Sequence, residues 1–209
     1  MIPADKIIHA LKKAYPDAAC SLNFKTPHQL LVATILSAQC TDERVNAVTP
    51  ALFEKYKSPT AFAQADIKEL ENDIRSTGFF RNKAKAIRES SRIIVGQFNS
   101  RMPRRMEDLV KLPGVGRKTA SVILGTAFGK AEGIVVDTHV ARLSKRLGFT
   151  SENDPVKIEN DLIQMIPKKE WIIFSHLMIF HGRSICKARR PECRRCVIAN
   201  YCPSAKLFL

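Results

Sequence analysis

A chain of 209 residues can bury a substantial core, as one domain or two small ones. Its 34 Lys and Arg against 20 Asp and Glu leave a net charge of +14, so a polyanion is the natural partner and nucleic acid is the commonest. Asp5, Lys6, Lys12 and Lys13 argue against a secretory leader, and the most apolar run, Trp171 to Phe180, is too short for a bilayer and carries Ser175 and His176, so a cytosolic protein without membrane contact is expected.

Residues 4 to 15 place Ile7, Ile8, Leu11 and Tyr15 on one helical face. Thr26-Pro27-His28-Gln29 reads as a capping box that opens a helix through Leu30, Leu31 and Ile35 to about Ser37, with His28 at its surface. The turn Ser37-Ala38-Gln39-Cys40-Thr41-Asp42 caps a helix carrying Val45, Val48, Leu52 and Phe53, which Pro50 is expected to break or bend. Ser58-Pro59 and Asp66-x-x-Glu69 start two more helices, the second capped by Gly78. Phe80, Ala84, Ile87, Ser91, Ile94, Val95 and Phe98 then recur at steps of three and four along a longer helix. Beyond residue 137, helices are expected up to Gly148, from Asp154-Pro155 to Pro167, and from about 169 to 185, the last one apolar on most sides. No stretch alternates long enough to form a sheet and no linker interrupts the chain, so the fold is expected to be all-α.

Between these elements lies Leu112-Pro113-Gly114-Val115-Gly116-Arg117-Lys118-Thr119-Ala120. Met106, Leu109 and Val110 before it, and Ala120, Ile123, Leu124 and Ala127 after it, keep helical spacing and make a helix-hairpin-helix. Pro113 stops the first helix, while Gly114 and Gly116 can take positive φ and let the backbone approach a ligand. Orphan N–H groups at the start of the second helix suit a phosphate oxygen, gripping a backbone without reading its sequence. A Walker A loop is excluded because Arg117 separates Gly116 from Lys118, and a dinucleotide fingerprint because Thr119 stands where its third glycine belongs.

Lys118 falls in the first turn of that helix, where the dipole and Arg117 both disfavour a cation; with partial desolvation its amine could serve as a Schiff-base nucleophile. The alternative is a solvated lysine in a phosphate patch. Asp137, followed by Thr138, Val140, Leu143 and Leu147, is an N-cap signal, and a carboxylate fixed by capping could also face Lys118. Cys20 and Cys40 read as buried small hydrophobes. Cys186, Cys193, Cys196 and Cys202, spaced C-x6-C-x2-C-x5-C, point to a metal site, with tetrahedral zinc and a [4Fe–4S] cluster both compatible. The intervening Lys187, Arg189, Arg190, Arg194 and Arg195 suit phosphate contacts or offset thiolate charge.

The Leu112–Ala120 string, followed by Val136-Asp137-Thr138-His139-Val140 and this cysteine spacing, resembles the helix-hairpin-helix DNA glycosylases of the endonuclease III family over essentially the whole chain. The resemblance implies two helical domains: a six-helix barrel of residues 22–131 containing the hairpin, and a discontinuous [4Fe–4S] cluster domain of residues 1–21 and 132–209. A DNA-binding cleft between them is expected. It also implies a bifunctional base-excision-repair enzyme acting on double-stranded DNA that contains damaged bases or abasic sites. The damaged nucleotide is extruded, Lys118 attacks the sugar C1′ and displaces the base, and the Schiff base permits β-elimination of the 3′ phosphate. Asp137 would assist as a base or stabilise the developing sugar cation.

In the same resemblance Gln39 and Phe79 enter the gap left by extrusion, although many members carry leucine where Phe79 stands; the alternative for Phe79 is a core aromatic beside Phe80. Gly114, Val115, Gly116 and Arg117, together with Lys187, Arg189 and Arg190, would hold the DNA. The adenine-specific branch needs a glutamate on the helix before Gln39, yet residues 27 to 41 contain neither Asp nor Glu. Oxidised pyrimidines such as thymine glycol are the expected substrates, and a cytoplasmic, nucleoid-associated monomer is the expected form. The rivals are a DNA-binding redox sensor that breaks no bond and a monofunctional mismatch glycosylase.

Overall fold

The computed structural model describes residues 2–208, and among them contains helices and turns but no strand. In chain order the α-helices are α1 (Ala4–Ala14), α2 (Pro27–Leu36), α3 (Asp42–Lys55), α4 (Pro59–Gln64), α5 (Ile67–Asp73), α6 (Phe80–Phe98), α7 (Met106–Leu109), α8 (Arg117–Phe128), α9 (Thr138–Arg146), α10 (Pro155–Met165) and α11 (Trp171–Ser184). Two compact units result, one of Ser21–Lys130 and the other joining the residues before Ser21 to those from Ala131 onward. No helix among the described residues is long and apolar enough to cross a membrane.

Local sequence starts most of these helices. Side-chain oxygens of Thr26, Thr41, Ser58, Asp66, Asp137 and Asp154 accept bonds from first-turn N–H groups of α2, α3, α4, α5, α9 and α10. At α2 the capping box is modified: Gln29 Oε1 accepts from the N–H of Lys25 at 2.7 Å, one residue before the cap. Pro50 does not break α3, which runs through it unbroken. Gly78 (φ +71) caps a 3₁₀ turn, Arg75–Thr77, that follows α5. The last helix is likewise preceded by a 3₁₀ turn, Lys168–Glu170, before α11 begins at Trp171.

In the unit of Ser21–Lys130, α6 packs on α4, α5 and α2, and α2 also packs on α8 and α3. Leu30, Leu31 and Leu36 of α2, Phe62 of α4, Leu70 of α5, and Ile87 and Ile94 of α6 are fully or almost fully buried. His28 is not at the surface: it is 5 % exposed. Its Nε2 lies 2.9 Å from Ser91 Oγ, with the Phe62 ring centroid 5.3 Å from its own. The first turn of α2 faces α6, so the second position after the cap points inward rather than to solvent.

Burial lowers the His28 pKa to about 4. Above pH 6.5 the imidazole is neutral in both folded and unfolded chains, and the fold bears no penalty. As pH falls from 6.5 towards 4 the unfolded chain takes a proton that the folded one does not, so stability is lost on acidification. Between pH 7.5 and pH 5 the loss is on the order of 2 kcal/mol. His28→Gln is expected to show a shallower loss of denaturation midpoint over that interval; equal slopes in the two proteins would contradict the assignment.

In the second unit, Ile7, Ile8 and Leu11 of α1 share a core with Val140 and Leu143 of α9, Ile158 and Leu162 of α10, and Phe174, Leu177 and Met178 of α11. Helices α9 and α11 come so close that a Cβ at Gly182 would sit 2.7 Å from His139 Nδ1. Arg142 fixes the approach, donating to the carbonyls of Gly182 at 3.0 Å and Cys186 at 2.9 Å. That second bond carries the order of the helices into the cysteine-bearing loop.

Candidate functional site

The hairpin is anchored from inside. Leu112 and Val115 are buried, the Val115 N–H donates to the Leu112 carbonyl at 3.0 Å, and Ser90 Oγ donates to the Pro113 carbonyl at 2.8 Å. Val115 thus spends its side chain and its amide on the loop itself.

The two glycines have different reasons for being there. Gly114 has φ +79, and a Cβ on it would lie 3.0 Å from Ala86 Cβ and against Ile35. Gly116 does not take positive φ; it is extended (φ −88, ψ 176), and an added Cβ would meet nothing within 4 Å. As N-cap of α8 it has no side chain to occupy the first-turn amides. Gly116, Arg117 and Lys118 are exposed, so the amide end and its cations open to solvent. Gly114→Ala is therefore expected to destabilise the unit by roughly 1–3 kcal/mol. Gly116→Ala should leave the denaturation midpoint unchanged and weaken binding to undamaged duplex several-fold; native affinity in Gly116→Ala would contradict a ligand-facing amide nest.

Gln39 and Phe79 are both exposed, Phe79 at 64 %. Phe79 is thus no core aromatic beside Phe80, whose ring is instead flanked by the guanidinium carbons of Arg75 at 5.6 Å and Arg81 at 5.3 Å. Gln39 (φ +52) and Phe79 (φ +47) also have left-handed backbones. That conformation is costly for residues other than glycine, and no burial of these side chains offsets it.

Lys118 belongs to the first unit and Asp137 to the second. Asp137 Oδ1 accepts from the Val140 N–H at 2.8 Å, fulfilling the capping signal. Cys20 and Cys40 are half-buried rather than buried.

The four C-terminal cysteines line one pocket with Leu143, Arg146, Leu147, His181, Ile185 and Ile198. Among the described residues no three His, Cys, Asp or Glu groups converge as a single ion requires. Burial first, then the neighbouring thiols, raises Cys196 to about 11 and Cys202 upward. Four thiolates in so apolar a pocket repel one another, and a positively charged metal centre would offset that repulsion.

A guanidinium donor and an imidazole nitrogen already face the sulfurs. Arg146 Nη1 lies 3.2 Å from Cys186 Sγ, and His181 Nε2 lies 3.3 Å from Cys196 Sγ with Tyr15 Oη 2.8 Å from its Nδ1. The residues fit a four-thiolate cluster. Sequence reasoning missed Arg146 and His181, because their partners are forty and fifteen residues away.

The basic loop is held by Arg146, which donates to the carbonyls of Lys187 and Ala188, each at 2.8 Å. Lys187 is tied to Glu192 at 2.7 Å, whereas the exposed Arg189 and Arg190 enter no ion pair among the described residues. Of the three, the arginines are the cations left available for phosphates.

The profile of the HhH-GPD superfamily, base excision DNA repair proteins, matches residues 32–168. Endonuclease III of Synechocystis sp. is 57% identical over 203 residues, covering 97% of this chain and 93% of its own. Endonuclease III of Escherichia coli is 36% identical over 197 residues, covering 94% and 93%. An endonuclease III solved in a non-covalent complex with DNA superposes with a TM-score of 0.91 at 46% identity, covering 98% of this chain and 95% of that one. A trapped covalent endonuclease III–DNA intermediate gives 0.90 at 45%, covering 98% and 96%. The hairpin, its lysine and the cysteine pocket thus sit in a chain that belongs to the HhH-GPD superfamily of base excision DNA repair proteins.

Proposed function

We propose that the protein is a bifunctional DNA glycosylase and abasic-site lyase that removes oxidised pyrimidines from duplex DNA. The observation that carries this reading is Lys118 on the exposed, uncapped first turn of α8, directly after the hairpin. The amides there hold a backbone phosphate and bring the lysine to the adjoining sugar. Its amine attacks C1′ and the base departs; the C1′–O4′ bond then opens to leave an iminium, which withdraws electrons from the C2′–H bond, so that loss of that proton expels the 3′ phosphate. Asp137, held by its capping bond, takes the proton from the Lys118 amine or stabilises the developing sugar cation.

Gln39 and Phe79 fill the space left by the extruded nucleotide; their exposed, left-handed positions support that role. Cys186, Cys193, Cys196 and Cys202 hold a [4Fe–4S] cluster, which when bound cross-links the C-terminal loop. Arg189 and Arg190 on that loop add phosphate contacts. The protein acts as a monomer at the nucleoid, where this substrate lies. Incubation with a duplex carrying one thymine glycol should release the base and nick the strand at the same site. Base release without a nick would favour a monofunctional enzyme, and binding without either would favour a sensor.

A further inference from the structure

The buried cation Lys83 plays no part in the chemistry described above. It lies in the first turn of α6, is 5 % exposed, and has no carboxylate partner among the described residues; its Nζ donates to the main-chain carbonyls of Leu36 and Thr77, each at 2.8 Å. Both acceptors end an element. Leu36 closes α2 and Thr77 closes the 3₁₀ turn, so each carbonyl is one that helix geometry leaves without a partner. A cation is favoured at such carboxyl ends and disfavoured at the amino end of its own helix, so the position makes sense through what it joins.

What it joins are two loops. Three residues after Leu36 comes Gln39, and two after Thr77 comes Phe79, both exposed and both left-handed. Neither side chain is packed in place, and Lys83 is a shared tether at the roots of both. Burial pushes the lysine pKa down and the nearby Cys40 opposes that shift, while the two carbonyls supply the acceptors that a buried Nζ needs.

From this geometry we infer that Lys83 is a positioning residue, one ammonium that sets the spacing of the Gln39 and Phe79 loops so that both side chains enter the DNA together when a nucleotide leaves the stack. The inference rests on the proposed gap-filling role of Gln39 and Phe79. It assigns Lys83 to extrusion rather than to the attack on the sugar, and it makes the two loops act as one device.

The test uses cluster-loaded protein and two substrates: thymine glycol paired in a duplex, and the same lesion in an unpaired bubble, where there is no partner to leave and no stack to refill. Lys83→Met, of similar shape without donors, is expected to lose tenfold or more in kcat on the paired lesion and less than twofold in the bubble. A 2-aminopurine beside the lesion should lose the fluorescence rise that reports unstacking. Lys83→Arg, which keeps the charge but cannot place one nitrogen between the two carbonyls, should fall between and carries the test if Lys83→Met does not fold.

In a Gln39→Ala/Phe79→Ala background, Lys83→Met should add less than twofold. Equal loss on both substrates, or no loss on either, would overturn the positioning role. If Gln39→Ala/Phe79→Ala itself excises the paired lesion normally, the gap-filling reading fails and the tether falls with it. If that background is impaired but Lys83→Met alone is not, only the tether fails.

Discussion

Asp137→Asn is expected to fold with native stability and to lose roughly a hundred- to ten-thousand-fold in excision. The two halves of that result separate the two jobs of one side chain. Asparagine is as good an N-cap as aspartate, and its carbonyl oxygen can accept the 2.8 Å bond from Val140 N–H. It cannot take a proton from an amine, nor does it carry the charge that stabilises a sugar cation. Asp137→Ala should lose the activity and also about 1 kcal/mol of stability with the cap. Denaturation midpoints and single-turnover rates on thymine glycol measure both effects; an Asp137→Asn protein that turns over normally would reduce Asp137 to a cap.

Lys118→Ala is expected to abolish base release and strand scission together, a loss of at least about a thousand-fold, or ~4 kcal/mol of barrier. Stability should hold, because the side chain is exposed and a cation leaves the amino end of α8. DNA binding should persist, since the hairpin amides and the anchored Gly114 turn remain. The coupled loss is the informative part. A monofunctional enzyme, with water as nucleophile, would release base without depending on this amine, and a sensor would show nothing to lose.

Features set within a few residues were legible in the sequence. Thr26, Ser58, Asp66, Asp137 and Asp154 cap helices because a side-chain oxygen reaches an amide two or three residues ahead, which depends on no distant partner. The hairpin string is local in the same sense. His28 is otherwise: its burial needs Ser91 and Phe62, contributed by α6 and α4, and helical position alone does not say which face α6 covers.

Gly116 illustrates a different limit. Glycine in a turn suggests positive φ, but here its absent side chain leaves amides open, which only the extended backbone and empty surroundings reveal. Lys83 carried a signal that was readable: four residues before Ile87, it falls on the buried stripe of α6, and a lysine at such a position calls for a partner. Its partners, two main-chain carbonyls, have no residue identity to read.

In the proposed reaction the amine of Lys118 becomes bonded to the sugar. Borohydride reduction of the native, cluster-loaded protein turning over a thymine-glycol duplex, followed by peptide mapping, tests it most directly. A stable protein–DNA adduct carried on the peptide containing Lys118 is the predicted result. Base released with no trapped adduct, or an adduct on another amine, would contradict it.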